Sequence, residues 1–377
     1  MARKIYFVAG EASADEHGAA VMRALHEKGP DLQFAGRGGP KMQAAAGGNV
    51  RDWIEEAAVV GLWEVIRRYG FFRKQFRETI AEIASLDPAA VVLIDYPGFN
   101  LRLARALRKS FPSLKIIYYI SPQVWAWNRG RIRRMKEWLD LMLCIFPFEP
   151  DLYKAAGLPA IFVGHPMAAQ RQVSHSPRER NLVGLFPGSR RREVQKIFPV
   201  MRETALNLSR MYPELRFEIA AASSSLAQII RHELGRDSGR FSIVTGAAKS
   251  LMARANVGMI ASGTATLEAA LAGLPFVLVY RVAWLTYFAA RLVVHVKYLG
   301  MPNVLADREI VPEFIQHRAR PRQIAKSIAR LLFDESGRAR ILRDFDLIAQ
   351  GLNQGQTSAN AAEVILTHLD QSAAMSV

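Results

Sequence analysis

The stretch IASGTATLEAALAGLPFVLVYR, residues 260–281, leaves the end of an apolar strand (Val257, Met259, Ile260), turns through Ser262-Gly263-Thr264 and enters a helix that carries Glu268. A helix that starts this way presents unpaired backbone N–H groups and the positive end of its dipole, so an anionic group such as a diphosphate can dock there. Gly263 lets the ligand come close. Gly273 and Pro275 stop the helix, and Phe276 to Tyr280 form a second apolar strand, which makes one strand–helix–strand unit of a parallel sheet. Ligands of such sheets bind at the carboxyl ends of the strands, where Ser262 to Thr264 fall. Taken alone, the tripeptide also reads as a plain helix cap with no ligand.

The same grammar extends on both sides. Upstream, NLVGLFPGSRRREV is a strand, a Pro187-Gly188-Ser189-Arg190 turn and a helix, with Arg190 at the helix mouth. Strands RFEIAAAS, FSIVTG, VGMIASGT and FVLVY then alternate with helices. Beyond Arg281 the chain is aromatic and basic through residues 284–298, turns at Pro302-Asn303 and Pro312-Glu313, and is helical from about Arg340.

The first half opens with the strand KIYFVA, which ends at Gly10-Glu11-Ala12-Ser13, with Asp15, Glu16 and His17 in the turn. LQFAGRGGPKM runs into a glycine-rich turn, and the apolar strand of AAVVLIDYPGFN ends at Asp95. Asp95 therefore stands at the carboxyl edge of a sheet; Asp also favours a turn ahead of Pro97-Gly98. SPQVWAW places Trp125 and Trp127 two residues apart, suited to stacking on a sugar ring, dipping into a bilayer or wedging the loop onto the core. After Gly164-His165-Pro166 the polar stretch AAQRQVSHSPRERN reads as a linker and marks a domain boundary.

A chain of 377 residues, half of them apolar, is long for one core and suggests two domains. It has no apolar run long enough to span a bilayer, and acids follow Gly10 too soon for a signal sequence, which points to a cytosolic protein. The single Cys144 excludes a disulfide framework and a cysteine metal site. Fifty Lys plus Arg against 34 Asp plus Glu give a net charge of +16, which implies an anionic partner. The cations cluster at Arg67, Arg68, Arg73, Lys74 and Arg77, at Arg129 to Lys136, and at Arg190 to Arg192. Around the first cluster, VVGLWEVIRRYGFFRKQF sets Phe71, Phe72 and Phe76 among cations. That pattern fits a helix on a membrane surface or a solvated basic face over a core stripe. No nucleic-acid signature accompanies the charge.

Neither phosphate turn is a GxxxxGK[ST] loop, and a GxGxxG with its downstream acid is absent, which disfavours ATP hydrolysis and NAD chemistry. What remains is a nucleotide held through diphosphate and ribose, with Glu268 suited to ribose hydroxyls and reactive carboxylates in the opposite half. That arrangement suits group transfer.

The segments GEASAD, IDYPGFN, SPQVWAW, FPFE, VGHP, FPGSRRREV, ASGTATLE, YR and MPNVLADREIVPEFIQ, in this order and spacing, resemble the lipid-A-disaccharide synthases, inverting glycosyltransferases of GT-B architecture. The resemblance runs from about Lys4 to the C-terminal helices, and Ala14 stands where the family usually has Gly. It implies an α/β protein of two Rossmann-like domains facing a cleft, followed by C-terminal helices. Residues 1–168 would bind the acceptor, 169–340 the UDP-sugar, and 341–377 would form a helical tail. The implied donor is UDP-2,3-diacylglucosamine and the acceptor 2,3-diacylglucosamine 1-phosphate, joined through a β-1,6 bond with inversion and release of UDP. No metal or other cofactor is implied. The enzyme would lie peripherally on the anionic inner-membrane surface, with a homodimer through C-terminal elements.

By the same resemblance Asp95 would be the base, with Asp15 the second choice. Gly188, Ser189, Arg190, Ser262, Gly263 and Thr264 would receive the diphosphate and Glu268 the ribose. Asn303 would complete the nucleotide pocket, and Arg281 either joins it or pairs with a core acid. Glu11, Ser13, Trp125 and Trp127 would face the acceptor and its lipid. The alternatives are a GT-B transferase with another acceptor, a UDP-GlcNAc epimerase, or a non-catalytic binder of anionic lipid.

Overall fold

Strands that are apolar on both sides of the pleat require cover on both faces, and the chain builds two sheets of such strands. The computed structural model describes residues 3–57, 69–127, 130–169, 171, 177–283 and 297–374. It divides into two compact units, Met1–Ala169 with Leu352–Val377, and Gln170–Gly351. Residues 58–68 of the aromatic and basic segment, the Trp127 side chain, Arg129, most of the linker, and residues 284–296 lie outside the described part.

The first unit contains β1 (Lys4–Ala9), α1 (Ala12–Lys28), β2 (Gln33–Gly38), α2 (Pro40–Ala45), β3 (Val50–Asp52), α3 (Ile54–Ala57) and α4 (Tyr69–Leu86). It continues with β4 (Ala90–Ile94), α5 (Pro97–Ser110), β5 (Lys115–Tyr119), α6 (Val124–Trp127), α7 (Gly130–Trp138), β6 (Leu141–Cys144), α8 (Glu149–Ala155), β7 (Ala160–Phe162) and α9 (Pro166–Ala169). All strands pair in parallel in the order β3-β2-β1-β4-β5-β6-β7. The order grows outward from the pair β1 and β4, where Ala9 lies opposite Ile94, so the switch point of this sheet falls between Gly10 and Asp95.

One face of the sheet, with Tyr6, Val8, Val91, Leu93, Ile116 and Tyr118, is covered by α4, α5, α7 and α8. Phe71, Phe72 and Phe76 of α4 pack against this core, and the Phe76 ring meets Phe99 at 5.7 Å. In the described part of that segment the aromatics are therefore a core stripe beneath the exposed Arg73, Lys74 and Arg77.

The second unit contains β8 (Glu179–Phe186), α10 (Arg191–Met211), β9 (Arg216–Ala221), α11 (Ser224–Leu234), β10 (Phe241–Thr245), α12 (Ala248–Arg254), β11 (Ala255–Ala261) and α13 (Thr264–Leu271). Then come β12 (Phe276–Tyr280), α14 (Met301–Ala306), β13 (Glu313–Ile315), α15 (Pro321–Phe333) and α16 (Glu335–Leu352). Its parallel sheet has the order β10-β9-β8-β11-β12-β13, with the switch point between β8 and β11. The helical C-terminus is shared: α16 belongs to the second unit up to Gly351, whereas α17 (Thr357–Ala374) packs on α1 of the first. Lys28 pairs with Glu363 at 3.2 Å and Arg3 with Asp370 at 2.5 Å, and the Asn360 amide donates to the Val163 carbonyl.

Candidate active site

In the first unit the strand ends at the switch point carry unusual backbone. Asp95 and Tyr96 both adopt left-handed φ values, 44° and 50°, and Ile120 after β5 has φ 65°. Non-glycine residues there cost about 1 kcal/mol or more each, and such strain gathers at sites where the chain must aim a side chain. The turn is held from behind. The Asp95 carbonyl accepts from the Tyr118 hydroxyl at 2.5 Å and the Asn100 amide at 2.8 Å, while the Asp95 N–H donates to the Tyr119 carbonyl. The Tyr96 ring fills the place where a side chain on Gly10 would project, and the Tyr96 hydroxyl donates to the Ala57 carbonyl.

This setting changes the acidity of Asp95. Partial burial, helped by the negative charge of Glu11, pushes its carboxyl up to about 6, against a smaller opposite pull from the Tyr96 N–H. Glu11 is exposed at the start of α1 and influences Asp95 through charge; Ser13 is also exposed. Asp15 is placed differently. It is 3 % exposed, and its carboxylate accepts the N–H groups of Gly39, Lys41 and Met42 at 2.8, 3.0 and 2.9 Å, which caps the N-terminus of α2. With three backbone N–H groups on its two oxygens, the carboxylate is committed to the fold rather than presented to a ligand.

Trp125 is buried, at 5 % exposure, rather than presented to a ligand. Its indole N–H donates to Glu149 Oε1 at 3.0 Å and its ring meets Phe148 edge-on, which realises the wedge reading of the loop. Glu149 is fully buried, also accepts the Phe146 N–H at 3.1 Å, and is raised by burial to about 7. Beside it the Ser121 and Tyr153 hydroxyls are 2.7 Å apart. Burial and the nearby His17 lower His165 to about 4, so it is neutral. Glu149 and His165 sit in the segments FPFE and VGHP, but the sequence carries no sign that either is buried.

In the second unit the two phosphate-type turns close β8 and β11, the strands that flank the switch point. Gly188 has φ 107°, and a side chain there would lie 2.8 Å from a Glu193 carboxylate oxygen. Gly263 has φ 139°, with open space where a side chain would stand. Ser189, Gly263 and Thr264 are exposed and Ser262 is half-buried. Arg190 begins α10 with its side chain 70 % exposed and pairs with Glu193 at 3.2 Å. Tyr280, at the end of β12, is raised by burial and by the charge of Glu193, while Arg190 opposes. Glu268 is half-buried on α13 and has no hydrogen-bond or ion-pair partner among the described residues.

Asn303 is sealed. Its amide donates to the Val311 carbonyl and Glu313, and its oxygen accepts the N–H groups of Ile310 and Val311, all between 2.7 and 2.9 Å. Nothing of it is exposed, which leaves no atom for a ligand. Glu313 in turn accepts the N–H groups of Leu299 and Gly300 ahead of α14. Arg281 is exposed and reaches the Gln316 carbonyl at 3.5 Å, with no acidic partner among the described residues. No group of three or more His, Cys, Asp and Glu side chains that could hold a metal ion occurs among the described residues.

Two all-parallel α/β units, each with polar turns at its switch point, have the architecture of the GT-B class. The fold is similar to that of a solved UDP complex of MnaA from S. aureus, with a TM-score of 0.63 at 11 % identity, covering 98 % of this chain and 97 % of that one. At that identity the likeness speaks for the fold alone. The family model for lipid-A-disaccharide synthetase matches residues 5–366. The chain is 37 % identical to the lipid-A-disaccharide synthase of Geobacter sulfurreducens over 97 % of both chains. It is 38 % identical to that of Pseudomonas paraeruginosa over 96 % of this chain and 97 % of the other. The chain belongs to the lipid-A-disaccharide synthetase family.

Proposed function

We propose that this glycosyltransferase of lipid A biosynthesis joins UDP-2,3-diacylglucosamine to 2,3-diacylglucosamine 1-phosphate, with Asp95 as the base. The acceptor's 6-hydroxyl oxygen attacks the anomeric carbon from the face opposite UDP as its proton passes to the Asp95 carboxylate. The bond from that carbon to the diphosphate breaks, and its electron pair leaves with UDP. The configuration inverts. Support for Asp95 comes from one observation above all: a carboxyl at the switch point of the first sheet, held on a strained turn and raised to about 6. Such a group is ionised at pH 7 yet basic enough to take a proton, a contribution worth roughly 10²- to 10⁴-fold in rate.

Charge grows on the departing diphosphate. Arg190 and the amides from Ser262 to Thr264, with Gly188 and Ser189 leaving room, would stabilise it. Glu268 would take the ribose hydroxyls, and Arg281 remains a candidate for the nucleotide because its guanidinium has no acidic partner among the described residues. Asp15 and Asn303 are assigned a supporting role, since each fastens the start of a short helix or the loop beside it.

Diacylated substrates reside in a bilayer, so the enzyme would work peripherally on the inner-membrane surface; among the described residues no helix is long and apolar enough to cross it. A homodimer through C-terminal elements rests on the family resemblance and is tested by sedimentation. The deciding experiment supplies purified protein with both diacyl sugars and assays disaccharide 1-phosphate and UDP. Absence of disaccharide from parent protein that still binds UDP would refute the proposed reaction.

A further inference from the structure

The positive charge is unevenly placed on the first unit. On one face of its sheet, α1 lies over Ile94 and packs with α17, and three cations there meet acids, Lys28 with Glu363, Arg3 with Asp370 and Lys41 with Glu16, while the exposed Arg23 stands alone among the described residues. The opposite face differs. Helix α5, PGFNLRLARALRKS, contains no acid. Its Arg102, Arg105 and Lys109 are exposed at positions i, i+3 and i+7, on the side away from buried Leu103, Ala104 and Leu107. Helix α7 packs beside it, buries Ile132 and Met135, and turns Arg133 and Arg134 outward. Among the described residues these five cations have no carboxylate partner; Arg108, which pairs with Asp140, is half-buried behind them, and the acids Glu78 and Glu82 of α4 are engaged by Arg37, Arg51 and Lys74. The neighbouring α4 adds exposed Arg73 and Arg77.

We propose that the outer surface of α5 and α7 is the face by which this protein docks on a bilayer containing anionic lipid. Unpaired cations on a surface lose no partner when they meet a negative headgroup layer, and each contributes about fivefold to partition. No exposed aromatic side chain stands among the five, as base stacking by a single-stranded nucleic acid would require. The placement suits the chemistry. Helix α5 begins two residues after Asp95, so a membrane along it lies beside the carboxyl edge of the sheet. This inference rests on the reading that the substrates are membrane lipids, and it names the surface involved.

The test uses full-length protein and vesicles of phosphatidylcholine with and without phosphatidylglycerol, with binding read by co-sedimentation. The variants Arg102→Gln/Arg105→Gln/Lys109→Gln and Arg133→Gln/Arg134→Gln should bind the anionic vesicles about 100-fold and about 25-fold more weakly, with a shallower salt dependence. Arg23→Gln/Lys28→Gln, on the opposite face, should stay within about twofold of the parent. Turnover with detergent-dispersed substrates should be unchanged in all three, which separates loss of docking from failure of the reaction itself. The proposal is overturned if the α5 and α7 variants sediment like the parent, if the opposite-face variant falls equally, or if pure phosphatidylcholine binds as well. Loss of affinity for a labelled oligonucleotide in place of vesicles would overturn it too.

Discussion

The Tyr118 hydroxyl donates a 2.5 Å hydrogen bond to the carbonyl oxygen of Asp95. A buried side chain from β5 thereby holds the backbone of a left-handed residue at the end of β4. The bond acts on the direction of the carboxylate rather than on its charge. Tyr118→Phe keeps the ring and leaves the Asn100 amide as the remaining side-chain donor, so a loss of about 1 kcal/mol in stability is expected. If the bond aims the base, kcat should fall about tenfold with little change in KM for the donor. A kcat equal to the parent's would show that Asn100 alone holds the turn.

Asp95→Asn should cut turnover by roughly 10²-fold or more while leaving UDP affinity unchanged. The same change should raise stability at pH 8. A partly buried carboxylate held above its ordinary acidity opposes folding when ionised, and Asn tolerates the left-handed backbone well. A gain of roughly 1 to 3 kcal/mol is expected. Thermal melts and steady-state kinetics on one preparation read both effects. Unchanged turnover would remove Asp95 from the base role.

The base works in its ionised form, so kcat/KM should be level above about pH 6 and fall tenfold per pH unit below it. Glu11 contributes to the raised value by its charge. Glu11→Gln should therefore shift that limb to lower pH, and a profile that does not move would show that burial alone sets it.

Glu149 is raised to about 7 in the folded protein, against an ordinary value near 4.5. A raised acid binds its proton more tightly when folded, so its stabilising effect is complete below about pH 4.5 and is lost as pH rises through about 7. His165, lowered to about 4, acts in the opposite sense and weakens the fold as pH drops below 6.5. Comparison of parent with Glu149→Gln isolates the first effect, because the Gln oxygen can still accept the Trp125 N–H. The variant should gain about 1 to 3 kcal/mol relative to the parent between pH 5 and 8. A constant difference across that range would mean that Glu149 does not titrate there.

Asn303→Ala removes four internal hydrogen bonds and strands two buried N–H groups, so a loss of about 3 kcal/mol or more is expected. Below its unfolding midpoint the variant should bind UDP within about twofold of the parent. A large loss of UDP affinity in folded protein would restore Asn303 to the nucleotide pocket.

Local chemistry made much of this legible. Apolar runs closed by glycine and proline marked the strands and turns, and Gly188, Ser262-Gly263-Thr264 and Asp95 were located at strand ends because such punctuation acts within a few residues. The family resemblance put Asp15, Trp125 and Asn303 on the ligand side, with a wedge onto the core left open for Trp125. The structure pairs them with Gly39, Lys41 and Met42, with Glu149, and with Val311, which lie farther along the chain, and burial depends on what folds over a residue. The two arginine-bearing helices α5 and α7 show the same limit: each reads as basic alone, and only packing puts them side by side.

The amino-acid sequence by itself determined that this chain forms two parallel α/β sheets, which turns end their strands, and which family it belongs to. Those properties reside in short patterns whose physics is local. The tertiary structure alone decided the strand orders that bring Gly10 beside Tyr96 and Gly188 beside Ala261, the return of α17 to the first unit, and the burial that raises Asp95 and Glu149. Acidity and accessibility depend on the dielectric and the neighbours that distant segments supply, and those exist only once the chain has closed around them.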